Sequence, residues 1–198
     1  MVLGEPIRDR RSERRAATRR EIIDAAWDLA RDNGLAGVSL RDLGTRVGMQ
    51  APSLYSYFPS KAAIYDAMFS EGANAFLDRL QGVDLPQDPK RRLLSSARAF
   101  VDFCVEDPVR YQLLFQRTIP DFEPSAESYA ASTAALDVGR ELLANAGITG
   151  GASLDLWTAL LTGIVDQQLS NDPGGTRWTR LLPDAVEMFV AHRRRGRT

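Results

Sequence analysis

The chain has 198 residues, 44% of them hydrophobic and 26% charged, which fits a globular protein with a buried core and excludes a disordered one. One cysteine (Cys104) and one histidine (His192) exclude a disulfide framework, a zinc cluster and a histidine-based triad, and the lone thiol fits a reducing cytoplasm. The net charge of −1 hides an asymmetry: residues 1–61 hold 11 Lys and Arg against 8 Asp and Glu, whereas residues 62–198 hold 14 against 18.

Residues 1–20 are basic, with 7 Arg against 3 acids, and offer no apolar leader, which argues against secretion. The longest apolar run, from Leu156 to Val165, is too short to span a bilayer, so no membrane partner is expected. Residues 1–12 lack periodicity and read as a disordered basic arm. Arg8, Arg10, Arg11, Arg14 and Arg15 can follow a phosphate backbone or enter a minor groove, a solvated tail being the plainer alternative.

From 13 to 33 the pattern is helical: Ile22, Ala25, Ala26, Leu29 and Ala30 form one apolar stripe, and Gly34 suits the helix end. Ser39 with Asp42 makes a capping box that starts a second helix at Leu40, with Leu43 and Val47 on its apolar face. Gly48 turns the chain, Pro52 suits the first turn of a third helix carrying Leu54 and Phe58, and Pro59 stops it. Two short helices joined by a glycine turn form a helix-turn-helix, whose second helix can enter a DNA major groove. Gln50, Ala51, Ser53, Tyr55 and Tyr57 lie off the apolar face, where they can meet base edges, a thymine methyl or phosphate. Lys61 adds a cation beside a helix N-terminus. Arg14, Arg15, Ser39 and Arg41 complete the candidate DNA contacts, against the alternative of a helical corner with a solvated face.

Ser60 opens a connecting helix over 60–80, and the Gly- and Pro-containing stretch 81–90 reads as the boundary of a second domain over 81–198. Helices are expected from about 89 to 106, from Asp107-Pro108 through Phe115, over 125–146, from a Ser153 cap to 170, and over 176–194. The final RRRGR reads as frayed. No alternating β pattern occurs, so the fold class is all-α: an N-terminal three-helix domain (13–59) joined to a larger helical domain. An apolar cavity there would draw on Phe100, Phe103, Tyr111, Phe115, Trp157, Leu161 and Gln167, although aromatics at helical spacing are more often core. Cys104 reads as a small core residue. The last two helices are apolar over a wide arc, so Leu160, Gly163, Ile164, Leu182, Val186 and Phe189 are candidates for a two-fold dimer interface; burial within the chain is the alternative.

The segment Arg19–Phe69 resembles the DNA-binding domain of the tetracycline-repressor (TetR) family of bacterial regulators. Ala25-Ala26, Gly34, Val38-Ser39, Val47-Gly48 and the string from Leu54 to Lys61, LYSYFPSK, carry the resemblance. It implies an all-helical effector-binding body, a homodimer, a palindromic double-stranded operator and a small-molecule effector, with no cofactor. By the same resemblance Tyr55 and Tyr57 contact bases or backbone, Lys61 a phosphate, and residues 50–53 the groove. Leu43-Gly44 departs from the family's branched residue and alanine, and Gln50-Ala51 from its commoner serine. The function so implied is repression relieved by a small, largely apolar ligand that shifts the 60–80 helix. The rivals are a helical small-molecule binder or enzyme whose head ignores DNA, and an architectural DNA binder with no ligand.

Overall fold

The computed structural model describes residues 10–195, all-α with no strand among them. The expectations for residues 1–9, and for the chain end past 195, lie outside the described residues. The chain forms two compact units. The first holds the chain to Phe69 together with 117–124; the second holds 70–116 and the chain from 125. The boundary thus falls inside the connecting helix, not in the 81–90 loop.

In the first unit, α1 (Arg10–Asn33) begins three residues earlier than the periodicity predicts, so residues 10–12 are helical and not part of an arm. Its stripe is buried as expected, with Ile22, Ala26 and Ala30 sealed from solvent and Trp27 in the core. Gly34 follows at φ 75°. Then α2 (Leu40–Arg46) starts on Ser39, whose hydroxyl accepts from the Asp42 amide at 3.1 Å and donates to the Asp42 carboxylate at 2.6 Å. Gly48, at φ 68°, turns the chain into α3, which is only Ala51–Leu54. The expected longer helix ends there: residues 55–57 form a turn, and Leu54 and Phe58 are buried from either side of it. The turn between α2 and α3 is tight at Gly44, whose carbonyl accepts from the Met49 amide at 2.7 Å. A Cβ at Gly44 would lie 2.7 Å from the Met49 carbonyl oxygen.

Helix α4 (Lys61–Gln81) opens on Ser60, which accepts from the Ala63 amide at 3.1 Å. Tyr65 is buried and donates to the Leu35 carbonyl at 2.6 Å, and Phe122 from 117–124 packs its ring on Tyr65 with centroids 5.7 Å apart.

The second unit is built around α5 (Pro89–Glu106), which packs against α6 (Pro108–Phe115), α7 (Ala126–Asn145), α8 (Gly151–Asn171) and α9 (Leu182–Arg195). Asp88, Asp107 and Ser125 each accept an amide as helix caps, at 2.8, 3.1 and 3.2 Å. Ser153 does not cap: α8 starts at Gly151, and Ser153 is buried with its hydroxyl donating to the Thr149 carbonyl. Helix α9 also starts later than expected, after a 3₁₀ turn at Thr179–Leu181. Gln168 explains that delay. Its buried amide oxygen accepts from the Trp178 and Thr179 amides at 2.9 and 3.2 Å, so these two backbone groups are satisfied outside a helix.

Candidate DNA-contacting surface and ligand cavity

The corner formed by α2 and α3 presents its polar residues outward. Tyr55 is 54% exposed although it is a large aromatic side chain. Gln50, Ser53 and Arg41 are exposed, and Ala51 is half-buried. Gln50 begins α3 in an extended conformation without spending its side chain on the cap. Lys61 is half-buried with its ammonium 5.3 Å from the Tyr65 ring centroid. The Ser39 hydroxyl, in contrast, is spent on Asp42, which makes it a helix cap before anything else.

The arginines of α1 divide into two kinds. Arg14 is exposed. Arg15 turns back onto the corner: its guanidinium donates to the Ser56 carbonyl and lies 5.1 Å from the centroid of the half-buried Tyr57 ring. Arg19, one turn along, does the same to the Tyr57 carbonyl and the Phe58 ring. Four-residue α3 leaves its last carbonyls without helical partners, and these two cations satisfy carbonyls of the turn that follows. Sequence reasoning placed Arg15 on DNA and missed Arg19; the i, i+4 spacing of the two on α1 was the available signal.

The second unit contains a cavity of about 340 Å³, small but within the range that holds drug-sized ligands. On one side Phe76, Phe100 and Phe115 pack edge-to-face, with centroids 5.3, 5.4 and 5.6 Å apart. Trp157 and Leu161 of α8 line it as well. Phe100, Phe115, Trp157 and Leu161 are therefore brought together at the cavity; three other candidates are not. Phe103 is buried behind Phe76, beneath the Arg110 guanidinium at 3.7 Å. Tyr111 is buried and donates to Asp166 at 2.7 Å; burial first, and Asp166 second, hold its hydroxyl well above the usual tyrosine range. Gln167 is exposed and bonds Asn171. The α7 wall was missed: Ser132, Ala135, Leu136 and Gly139 follow an i, i+3, i+4, i+7 stripe whose small members leave space. Burial pushes the Cys104 thiol up, so it stays protonated and lies in the core.

Residues 22–68 match the family described as bacterial regulatory proteins, tetR family. The TetR likeness is thus carried by this N-terminal segment. Among curated relatives, the HTH-type transcriptional regulator YobS of Bacillus subtilis is 32% identical over 101 residues, 51% of this chain and 53% of that protein. The class A tetracycline repressor protein of Escherichia coli is 28% identical over 166 residues, covering 79% of this chain and 69% of the repressor. The chain thus spans about half the length of YobS and about two thirds of the repressor. Among solved structures, the transcriptional regulator FadR of Bacillus subtilis in complex with stearoyl-CoA aligns with a TM-score of 0.70 at 16% identity, covering 87% of this chain and 97% of FadR. That likeness establishes the shared fold.

Helices α8 and α9 carry an outer stripe that differs from the expected one. Leu182, Val186 and Phe189 are buried by the chain's own helices, so they have no surface to offer a second copy. Leu160 and Ile164 are half-buried and Gly163 is exposed, continuous along α8 with Leu156, which is 48% exposed. On α9 the large apolar side chain that faces solvent among the described residues is Met188, 64% exposed, two positions from the buried Val186. Among the described residues there is no group of three metal-ligating side chains, and no described helix is long and apolar enough to cross a membrane.

Proposed function

We propose that this chain is a homodimeric, ligand-responsive transcriptional repressor that leaves its operator when a small, largely apolar molecule enters the cavity of the second unit. The observation that carries the reading is a large aromatic, Tyr55, held in solvent beside exposed Gln50 and Ser53 on the α2–α3 corner. Its phenol and apolar ring are both free to meet a partner, and an exposed polar-aromatic face on a short helix suits base and phosphate contact. The cavity supplies the second half of the reading: it is walled by rings, and α6, which lines it through Leu114 and Phe115, runs directly into the 117–124 segment that packs with the DNA-binding unit. A ligand that prefers one arrangement of α4 and α6 by roughly 1–3 kcal/mol changes operator occupancy 5- to 150-fold.

Supporting the dimer are exposed Leu156 and Met188 on the packed helices α8 and α9, with half-buried Leu160 and Ile164 continuing along α8. The test is retardation of duplex fragments selected from the source genome. Supporting results are a two-fold symmetric site, a steep salt dependence and release by an apolar extract. A chain that stays monomeric and shows no affinity for any duplex overturns the proposal. Binding to every duplex alike, with no ligand effect, favours an architectural role instead.

A further inference from the structure

The proposed effector site has a chemistry narrower than "apolar". We infer that the cavity of the second unit selects uncharged, ring-containing molecules bearing a hydroxyl or carbonyl group, and rejects ions of either sign. The inference rests on the cavity being a ligand site.

Among the described residues that form the wall there is no Asp, Glu, Lys, Arg or His, so an ionised guest would lose its hydration and gain no counter-charge. The carboxylate nearest in kind, Asp166, does not line the cavity and already accepts from Tyr111 and from Gln116, at 2.7 and 2.8 Å. Aromatic faces can hold a cation. Here, however, Phe76, Phe100 and Phe115 turn their edges onto one another's faces and Trp157 packs on Phe189 with centroids 5.1 Å apart, so much of the aromatic surface is engaged within the protein and no carboxylate among the described wall residues stands beside it to replace a cation's hydration.

What remains polar is neutral. The Thr158 hydroxyl donates to the Leu154 carbonyl at 3.0 Å, leaving only acceptor capacity. Ser96 on α5 and Ser132 on α7 also line the cavity, and among the described residues neither hydroxyl has a protein hydrogen-bond partner. These hydroxyls, with the Tyr129 phenol and Trp157 that also line the cavity, match a hydroxyl, carbonyl or amide of a guest but bring no formal charge to balance an ion. The rings in the wall favour a flat apolar body.

The experiment uses the full chain and the uncharged fluorophore N-phenyl-1-naphthylamine, whose emission rises on burial and which accepts energy from Trp157. Three molecules of one ring system then compete for it at neutral pH: 1-naphthalenemethanol, 1-naphthylmethylammonium and 1-naphthoate. The alcohol should displace the fluorophore at a concentration at least tenfold lower than either ion. Displacement by either ion at equal concentration overturns the charge selection. A fluorophore that does not bind at all defeats instead the reading of the cavity as a ligand site. Location is fixed by Gly139→Leu. A Cβ there meets only the Leu154 side chain at 3.4 Å, so the added side chain can project into the space. Fluorophore binding should fall at least tenfold in that variant; unchanged binding places the guest elsewhere and overturns the inference.

Discussion

The Arg19 guanidinium donates to the Tyr57 carbonyl and lies 4.1 Å from the Phe58 ring centroid, so α1 holds down the turn that follows α3. Arg15 repeats the arrangement on Ser56 and Tyr57. Both cations therefore position the helix corner, whereas a phosphate contact would need their guanidinium groups turned outward. The two roles have different salt signatures, because only a neutralised phosphate releases counterions, about 0.9 per contact. Arg19→Gln should weaken operator binding several-fold, through loss of a cation at a chain of unpaired carbonyls worth about 0.3–1 kcal/mol and loss of ring packing. The slope of log affinity against log salt should not change. A slope reduced by about one unit would assign Arg19 to the DNA backbone; Arg14→Gln is the comparison expected to show that reduction.

Gly44 sets how closely α2 and α3 meet. With a Cβ 2.7 Å from the Met49 carbonyl and 3.2 Å from the Ala51 nitrogen, a branched side chain has backbone on both sides and cannot be relieved by a rotamer change. Gly44→Val should cost about 1–3 kcal/mol, the usual range for overpacking. It should also reduce DNA affinity beyond what the loss of folded protein explains. Thermal unfolding and operator titration of the same sample separate the two effects.

Gln168 is 2% exposed and ties together both ends of the segment between α8 and α9, Asp172 at its start and Trp178 and Thr179 towards its end. Its oxygen takes the Trp178 and Thr179 amides, and its nitrogen donates to the Asp172 carbonyl and carboxylate. Gln168→Leu leaves two amides unpartnered and should destabilise the chain by about 1–3 kcal/mol for each group that stays buried, read as a lower denaturant midpoint. The same knot lowers the Asp172 carboxyl below its ordinary 3.8, chiefly through the Arg177 amide and then Gln168. A carboxyl lowered in the fold stabilises it at pH above 3.8 and loses that contribution as pH falls through the lowered value. Asp172→Asn should therefore flatten the acid limb of the stability profile below about pH 4 while leaving its shape near neutrality intact.

Gln168 also shows where sequence reading reaches its limit. The helix through 153–170 was legible from its apolar spacing, but a polar residue carries no sign of which way it faces. Gln167 and Gln168 are adjacent, and the exposed one was chosen for the cavity. Phe103 and Tyr111 were misassigned for a related reason: periodicity marks the inward face of a helix, and inward includes core as well as cavity. The cavity's α7 wall depends on residues that are small, and a small residue signals empty space only once its neighbours are known. The start of each helix in the α2–α3 corner was legible because its signals are local: a cap at Ser39, a positive-φ glycine at 48 and a proline at 52 each act within a few residues, whereas the early end of α3 at Leu54 was not. The arginine contacts, 38 and 41 residues apart in sequence, are not local in that sense.

The proposed dimer is tested on the stripe that stays exposed. Leu156 and Met188 are large apolar residues left in solvent on helices that pack together. Placing carboxylates there, as Leu156→Glu with Met188→Glu, should leave the single chain folded, because neither side chain takes part in its core. Sedimentation at micromolar concentration should then report monomers where the unmodified chain reports dimers, and operator affinity should fall by more than tenfold. Val186→Glu is the contrast: Val186 is 1% exposed, so a charge there should unfold the second unit instead.

Tyr55 offers the sharpest test of the DNA-facing corner. Its ring is half in solvent, so truncation removes little packing, and Tyr55→Ala should change folding stability by no more than about 0.5 kcal/mol. Operator binding should nevertheless weaken by roughly 1–3 kcal/mol if the ring or its hydroxyl meets a base or phosphate. Tyr55→Phe divides that loss. Retained affinity assigns the contact to the ring, as against a thymine methyl or sugar, whereas a loss equal to that of alanine assigns it to the hydroxyl. Lys61→Ala should weaken all duplexes alike and lower the salt slope by about one unit, the mark of a phosphate partner. If Tyr55→Ala and Lys61→Ala both bind the operator as tightly as the unmodified chain, the face presented by α3 is not the one that meets DNA.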